Sequence, residues 1–230
     1  MKALVLFSGG LDSTTLLAMA IEEYGRENVL ALSIAYGQKH EKELTSSQAV
    51  ASHYGVQQLH LDLGAIFLHS NSSLLSHSTE SIPKGSYGTL KQNSDTPIST
   101  YVPFRNGLFL SSAASVALGT GCSVLYYGAH HDDWAGSAYP DCSSSFVDVM
   151  DKAIQEGSGG QLRVAAPFIT WSKAQIVAKG LSLAVPYALT WSCYEGGETP
   201  CGLCATCVDR QRAFTENGAV DPLLTKENSL

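Results

Sequence analysis

The stretch Ser8-Gly9-Gly10-Leu11-Asp12-Ser13-Thr14 constrains this chain more than any other part of it. It follows the unbroken apolar run Ala3–Phe7 and opens a helical pattern. A short continuous apolar run reads as a parallel strand buried on both faces. Adjacent glycines let the backbone turn sharply, so that successive N–H groups can converge on an anion. The helix would add its own unpaired N–H groups and the positive end of its dipole. The pattern therefore predicts a strand that hands a polyphosphate to a helix N-terminus. Yet the loop lacks the lysine of a G-x-x-x-x-G-K-[ST] phosphate loop. Asp12 is out of place beside phosphates unless it holds Mg²⁺ or, like Ser13, caps the helix. A plain strand–turn–helix corner would show the same glycines and caps.

The strand–helix unit then repeats. Thr14–Tyr24 reads as a helix stopped by Gly25, and Val29–Tyr36 as a second strand. Glu41–Tyr54 reads as a helix closed by Gly55, and Gln57–Leu63 as a third strand with alternating leucines. This alternation predicts an α/β fold built on a right-handed, doubly wound parallel sheet. Between residues 71 and 100 the chain is rich in Ser, Thr, Gly, Pro and Asn, and the expectation there is a lid over a site. Helices resume at Asn106–Gly119, at Phe146–Ile154 and from Ser172 to Leu183, with a strand at Ser123–Tyr127 and a last short helix near Val208–Thr215.

At 230 residues, with 44% hydrophobic and 15% charged residues, the chain can bury one large core. A formal net charge of −7 argues against direct nucleic-acid binding, which rests on many Lys and Arg contacts to phosphates. No apolar run approaches the roughly 20 residues of a membrane span, and Ala3–Phe7 is too short for a signal peptide's core. A cytoplasmic protein without a membrane partner is expected. Cysteine usage agrees, because Cys193, Cys201, Cys204 and Cys207 crowd together near the C-terminus. In such a setting clustered cysteines read as metal ligands before disulfides. Gly196-Gly197, Pro200 and Gly202 let the chain double back between them. The spacing suits a closed, four-thiolate, structural Zn²⁺ site. An iron–sulfur cluster competes, though the Cys-Pro that ends a ferredoxin run is absent. Arg210 and Arg212 follow, as an anion contact or a solvated helix face.

The string Ser8-Gly9-Gly10-Leu11-Asp12-Ser13 resembles the S-G-G-x-D-S signature of the PP-loop ATP pyrophosphatases. Further along come Tyr101-Val-Pro-Phe-Arg-Asn-Gly107, Gly128-Ala-His-His-Asp-Asp133, Tyr139-Pro-Asp-Cys142, Thr190-Trp-Ser-Cys-Tyr194 and Pro200-Cys-Gly-Leu-Cys-Ala-Thr-Cys207. In this order, from about Lys2 to Pro222, they resemble the 7-cyano-7-deazaguanine synthase (QueC) family of queuosine precursor biosynthesis. The resemblance implies a carbon–nitrogen ligase. Its substrates would be 7-carboxy-7-deazaguanine, ammonia and ATP with Mg²⁺, and its products 7-cyano-7-deazaguanine, AMP and pyrophosphate. It implies an ATP segment matching Phe7, Ser8, Gly9, Gly10, Leu11, Asp12, Ser13, Thr14, Thr15, Leu16 and Leu17, the last two anchoring the helix. It also implies zinc on Cys193, Cys201, Cys204 and Cys207, and a homodimer. The expected division is an ATP-binding α/β domain over 1–187, with a lid at 71–100, and a cysteine segment over 188–230 packed on it.

Within that frame Asp12, Arg105 and Lys173 are the catalytic candidates. Arg105 would neutralise charge developing at the α phosphate. Lys173 falls at a helix start, where the dipole disfavours a cation unless a phosphate is near; a plain surface lysine is the competing reading. Asp132, Asp133 and Asp141 follow a strand's C-terminal end, and one of them could accept from the guanine-like N–H edge of the substrate. His130 and His131 could relay protons, and Tyr36, Phe104 and Trp134 could stack on a ring or simply pack. Two other functions keep part of this pattern. One is a PP-loop enzyme of the tRNA-thiolation type. The other is a zinc-knuckle binding module on an inert nucleotide-binding fold.

Overall fold

The computed structural model describes residues 1–86, 89–90, 98–134 and 139–224. Its strands are β1 (Ala3–Leu6), β2 (Val29–Ala35), β3 (Gln57–Asp62), β4 (Val124–Tyr126) and β5 (Arg163–Ala165). They form one parallel sheet in the order β3-β2-β1-β4-β5. Val5 lies beside Ala31 on one side and Tyr126 on the other, so β1 is the centre of the sheet. The helices are α1 (Leu11–Tyr24), α2 (Lys42–Tyr54), α3 (Arg105–Gly119), the short α4 (His131–Trp134), α5 (Ser144–Gly157), α6 (Lys173–Ser182) and α7 (Ala205–Glu216). No helix among the described residues is long and apolar enough to cross a membrane.

The period of two along β1 sorts the core into two faces. Ala3, Val5 and Phe7 pack against Leu16 and Leu17 of α1, Ile176 and Val177 of α6, and Phe214 of α7. Leu4 points the other way, with Leu30 and Leu32 of β2, Leu110 and Ala113 of α3, and Val147 of α5. Helices thus cover both faces, as the alternating pattern predicts. Leu4, Leu16, Leu17, Leu30, Leu32, Leu110 and Leu125 are fully buried. Each contributes about 1.5–3 kcal/mol of transfer free energy.

Two local expectations change. Helix α1 starts at Leu11, with Gly10 at its N-cap and no side-chain cap. Asp12 and Ser13 do not cap, because both are engaged elsewhere, as described below. Strand β5 was not legible, being only Arg163–Ala165 with an exposed arginine in it. The cysteine segment shares the main core through Phe214, whose ring meets Tyr187 edge-on at 5.2 Å. Arg210 is neither an anion ligand nor part of a solvated face. It is buried, and holds Asp221 through Nε at 2.7 Å and Nη2 at 2.9 Å. It also donates to Thr190 Oγ1 at 2.8 Å and to the Tyr187 carbonyl at 3.2 Å. Arg212 stays exposed beside Glu216.

The described parts of 71–100 are pinned. The Ser73 N–H donates to the Ser99 carbonyl at 2.8 Å, and the Gly85 N–H to the Leu203 carbonyl at 2.9 Å. Leu75 is fully buried and Ile82 packs beside Cys193 and Cys204. Residues 87–88 and 91–97 of the expected lid lie outside the described residues.

The buried Arg210–Asp221 pair supports a test. Removing one partner of such a pair leaves the other charged and unpaired, a loss of about 3–5 kcal/mol. Arg210→Ala is expected to lose that much in denaturant unfolding, and the double variant R210M/D221L to recover most of it.

Candidate active site and metal centre

A cavity of about 250 Å³ opens at the carboxyl ends of β1, β2 and β4. The chain runs outward from β1 to β2 and β3, then returns to place β4 on the other side of β1. That reversal separates the loops after β1 and β4, and in open α/β sheets ligands bind in such a crevice. Phe7, Ser8, Gly10, Leu11, Asp12 and Ser13 line one side of the cavity, and Gly128, Ala129 and Asp133 another.

The loop after β1 is held in shape by its own hydroxyls. The Ser8 and Gly10 N–H groups donate to Ser13 Oγ and Ser8 Oγ, each at 3.2 Å, and the two hydroxyls meet at 3.1 Å. The helical ladder begins with the Thr14 N–H donating to the Gly10 carbonyl at 3.0 Å. The N–H groups of Leu11, Asp12 and Ser13 precede that ladder, beside the cavity. Gly9 adopts φ +82°, and a Cβ there would fall against Ser47 N and 2.7 Å from the Glu43 carbonyl of α2. Only glycine permits both that backbone and that approach.

Ion pairs converge on Asp12. Lys173 Nζ lies 3.1 Å from its Oδ2, and His130 Nε2 lies 3.7 Å from the same oxygen and 3.3 Å from Asp133 Oδ1. Burial raises the Asp12 carboxyl, but Lys173 and His130 outweigh it and hold it well below the ordinary carboxylate range. Burial lowers Lys173 and His130, and their carboxylate neighbours more than restore both, so each sits above its usual value. The Lys173 backbone N–H donates to Asp132 Oδ2 at 2.9 Å, which fixes the start of α6. On the far wall the Arg105 guanidinium stacks over Tyr36 at 4.9 Å, with its Nε buried and unpartnered. Arg105 follows Phe104, whose φ of 54° turns the chain into α3.

The four clustered thiols fit one metal ion. Their Sγ atoms all lie within 4.8 Å of one another. A tetrahedron with Zn–S bonds of about 2.3 Å has edges of about 3.8 Å. The Cys204 and Leu203 N–H groups donate to Cys201 Sγ at 3.3 and 3.4 Å, which fixes the sulfur's position in the cluster. With all four positions filled by sulfur, a zinc ion would have no open site and would serve structure alone.

The family model for "Queuosine biosynthesis protein QueC" matches residues 2–218. The chain belongs to the QueC family. The 7-cyano-7-deazaguanine synthase of Archaeoglobus fulgidus is 44% identical over 229 residues, covering 99% of this chain and 91% of the relative. That of Thermoplasma acidophilum is 42% identical, covering 96% and 91%. Among solved structures, the U34-tRNA thiolase NcsA from Methanococcus maripaludis with its [4Fe-4S] cluster matches with a TM-score of 0.55 at 14% identity, over 94% of this chain and 66% of that one. NMN synthetase from Francisella tularensis matches with a TM-score of 0.53 at 11% identity, over 95% and 77%. Both share the fold.

Within this QueC chain the anticipated residues separate. Thr14, Thr15, Leu16 and Leu17 are buried, and Thr15 pairs with the Tyr187 hydroxyl at 2.8 Å. Asp12, Lys173, Arg105 and Asp133 line the cavity together. Asp141 instead accepts the Asn106 N–H at 3.0 Å, and burial raises its carboxyl. Tyr36 lines the cavity, whereas Phe104 is 58% exposed and Trp134 packs with the Leu4 face of the core. Sequence reasoning missed Glu43, which also lines the cavity. Burial pushes its carboxyl up to about 7, against the pull of Arg105. A glutamate in the first turn of a polar helix reads as solvated, so no sequence signal marked it.

Cys204→Ala is expected to reduce bound zinc severalfold, by elemental analysis of purified protein, and to lower the melting temperature with it. Unchanged zinc content would mean that the ligand set is wrong.

Proposed function

We propose that this chain makes 7-cyano-7-deazaguanine from 7-carboxy-7-deazaguanine, ammonia and ATP, and that the cavity beside β1 and β4 is its adenylation site. One observation carries the reading. In a chain so close to synthases of that name, the glycine turn and the Asp12–Lys173 pair line a single cavity.

A carboxylate oxygen is a poor leaving group, and transfer of AMP to it makes a good one. Ammonia then displaces AMP to give the amide. A second adenylation, on the amide oxygen, lets AMP leave again as the nitrile forms. Ser8, Ser13 and the N–H groups of Leu11, Asp12 and Ser13 hold the pyrophosphate that departs. Lys173 remains protonated and stabilises charge developing at the α phosphate, as does Arg105 from the opposite wall. Asp12 Oδ1 is buried without a hydrogen-bond partner, so it would hold Mg²⁺, which neutralises phosphate charge when bound. Asp133 accepts from the N–H edge of the deazapurine, while Asp132 and Asp141 brace the backbone around it.

Cys193, Cys201, Cys204 and Cys207 hold a structural zinc that fixes Trp191, Ser192 and Tyr194 against the cavity. The α/β domain over 1–187 and the segment over 188–230 act as one unit around it, and 71–100 excludes water that would hydrolyse an adenylate. A cytoplasmic homodimer is the setting the family resemblance implies.

Mass spectrometry of a reaction with ATP, ammonia and the carboxylate is expected to show the nitrile, with AMP formation dependent on the carboxylate. Absence of both would refute the reading. Lys173→Ala is expected to lower carboxylate-dependent exchange of pyrophosphate into ATP by about 10²–10³, the usual cost of removing one preorganised charge or donor. Circular dichroism checks that the fold persists.

A further inference from the structure

We propose that Glu43 is the general base that takes the proton from the attacking ammonia nitrogen. The proposal rests on the synthase reaction given above. In that step the nitrogen lone pair forms the C–N bond, the C–O bond to AMP breaks, and one N–H proton passes to the Glu43 carboxylate. After the second adenylation the same nitrogen loses its remaining two protons in turn. Adenylation of the amide oxygen draws the nitrogen lone pair into a C=N bond. The first N–H pair then stays on nitrogen as its lone pair, and the second becomes the third C–N bond as the C–O bond to AMP breaks. The carboxylate returns each proton to solvent before taking the next.

Geometry singles Glu43 out. Three carboxylates line the cavity: Asp12, Asp133 and Glu43. Asp12 is bound by Lys173 at 3.1 Å, and Asp133 by His130 at 3.3 Å. Glu43 has no hydrogen bond or ion pair within bonding distance among the described residues. Its carbonyl sits against Gly9, so the first turn of α2 is packed directly on the phosphate loop. The neighbouring Lys42 is turned away, its Nζ 4.6 Å over the Trp191 ring and 3.0 Å from the Glu198 carbonyl. The charged or titratable groups facing Glu43 are therefore Arg105 of α3 and the Tyr36 hydroxyl.

Chemistry excludes the other candidates. Burial and the nearby Asp133 and Asp141 carboxylates push the Cys142 thiol well above its usual value, and burial does the same to the Tyr127 hydroxyl. Lys173 is held protonated, and His130 is locked between two carboxylates. Burial places Glu43 at about 7, where a base is both free to act and strong enough to do so.

Glu43→Gln separates the steps. It is expected to keep carboxylate-dependent pyrophosphate exchange within about threefold of wild type, because adenylation needs no base at nitrogen. It is also expected to keep hydroxamate formation from hydroxylamine, which is neutral near pH 7 and sheds its proton readily. Amide and nitrile formation from ammonia should fall by about 10²–10⁴, and Glu43→Asp should recover part of that loss. Unimpaired nitrile synthesis by Glu43→Gln would overturn the proposal. Loss of its exchange while wild type exchanges normally would also overturn it, and would make Glu43 a substrate-binding group. A wild-type enzyme without carboxylate-dependent exchange would bring down the proposed function itself, and this step with it.

Discussion

The site depends on the contact between Asp12 and Lys173. It joins the start of α1, just after β1, to the start of α6, just after β5, and His130 from the loop after β4 closes the group. Each member would be unstable alone. Lys173 is buried at the N-terminus of a helix, where the dipole opposes a cation by about 0.3–1 kcal/mol. Asp12 keeps about a quarter of its side-chain surface exposed in the cavity, so breaking this pair costs less than the roughly 3–5 kcal/mol of a fully buried one. The carboxylate that looks misplaced in a phosphate loop is thus the anchor that lets a lysine enter the site from another element.

The C-terminal segment is tied in by two different kinds of bond. Phe214 buries its ring in the core beside Tyr187, and Arg210 ties Asp221 to the stretch that begins at Tyr187. The thiol cluster follows immediately, with Ile82 from the irregular 71–100 stretch packed on it. The Trp191 N–H reaches back to the Gly9 carbonyl at 3.1 Å. The metal centre and the phosphate loop are therefore neighbours through one backbone hydrogen bond, and disorder at the cysteines would reach the loop.

Most of the architecture was legible because the chain repeats one physical rule. Apolar strands alternate with helices stopped by glycine, and Gly55 closes α2 in the left-handed conformation as expected. What escaped had no local signature. Three residues of β5 carry too little periodicity to separate from a loop. Arg210 looked solvated because its partner Asp221 lies on the far side of α7 in sequence. Lys173 reads in sequence as a surface lysine or a phosphate contact, and the structure buries it against Asp12, 161 positions away by number. Glu43 stands out only once the folded chain sets it, half-buried, on the cavity wall near Arg105. Local pattern reports backbone periodicity, whereas a buried charge is defined by groups brought together from distant segments.

Placing the lysine outside the loop changes what the charge can do. In a phosphate loop that carries its own lysine, the cation lies along the β and γ phosphates. Here the loop supplies only N–H and hydroxyl donors to the phosphate chain. The cations stand apart from it, Lys173 beside Asp12 and Arg105 on the opposite wall with Tyr36. Backbone donors suit a group that must be held and then released, since their partial charges bind it less tightly than a full cation. On the proposed function, the full charges of Lys173 and Arg105 would act where the bond to the α phosphate is made and broken. The same cavity is lined by Glu43, on the helix that packs directly on the loop, which is what the proposed amidation step requires of a base.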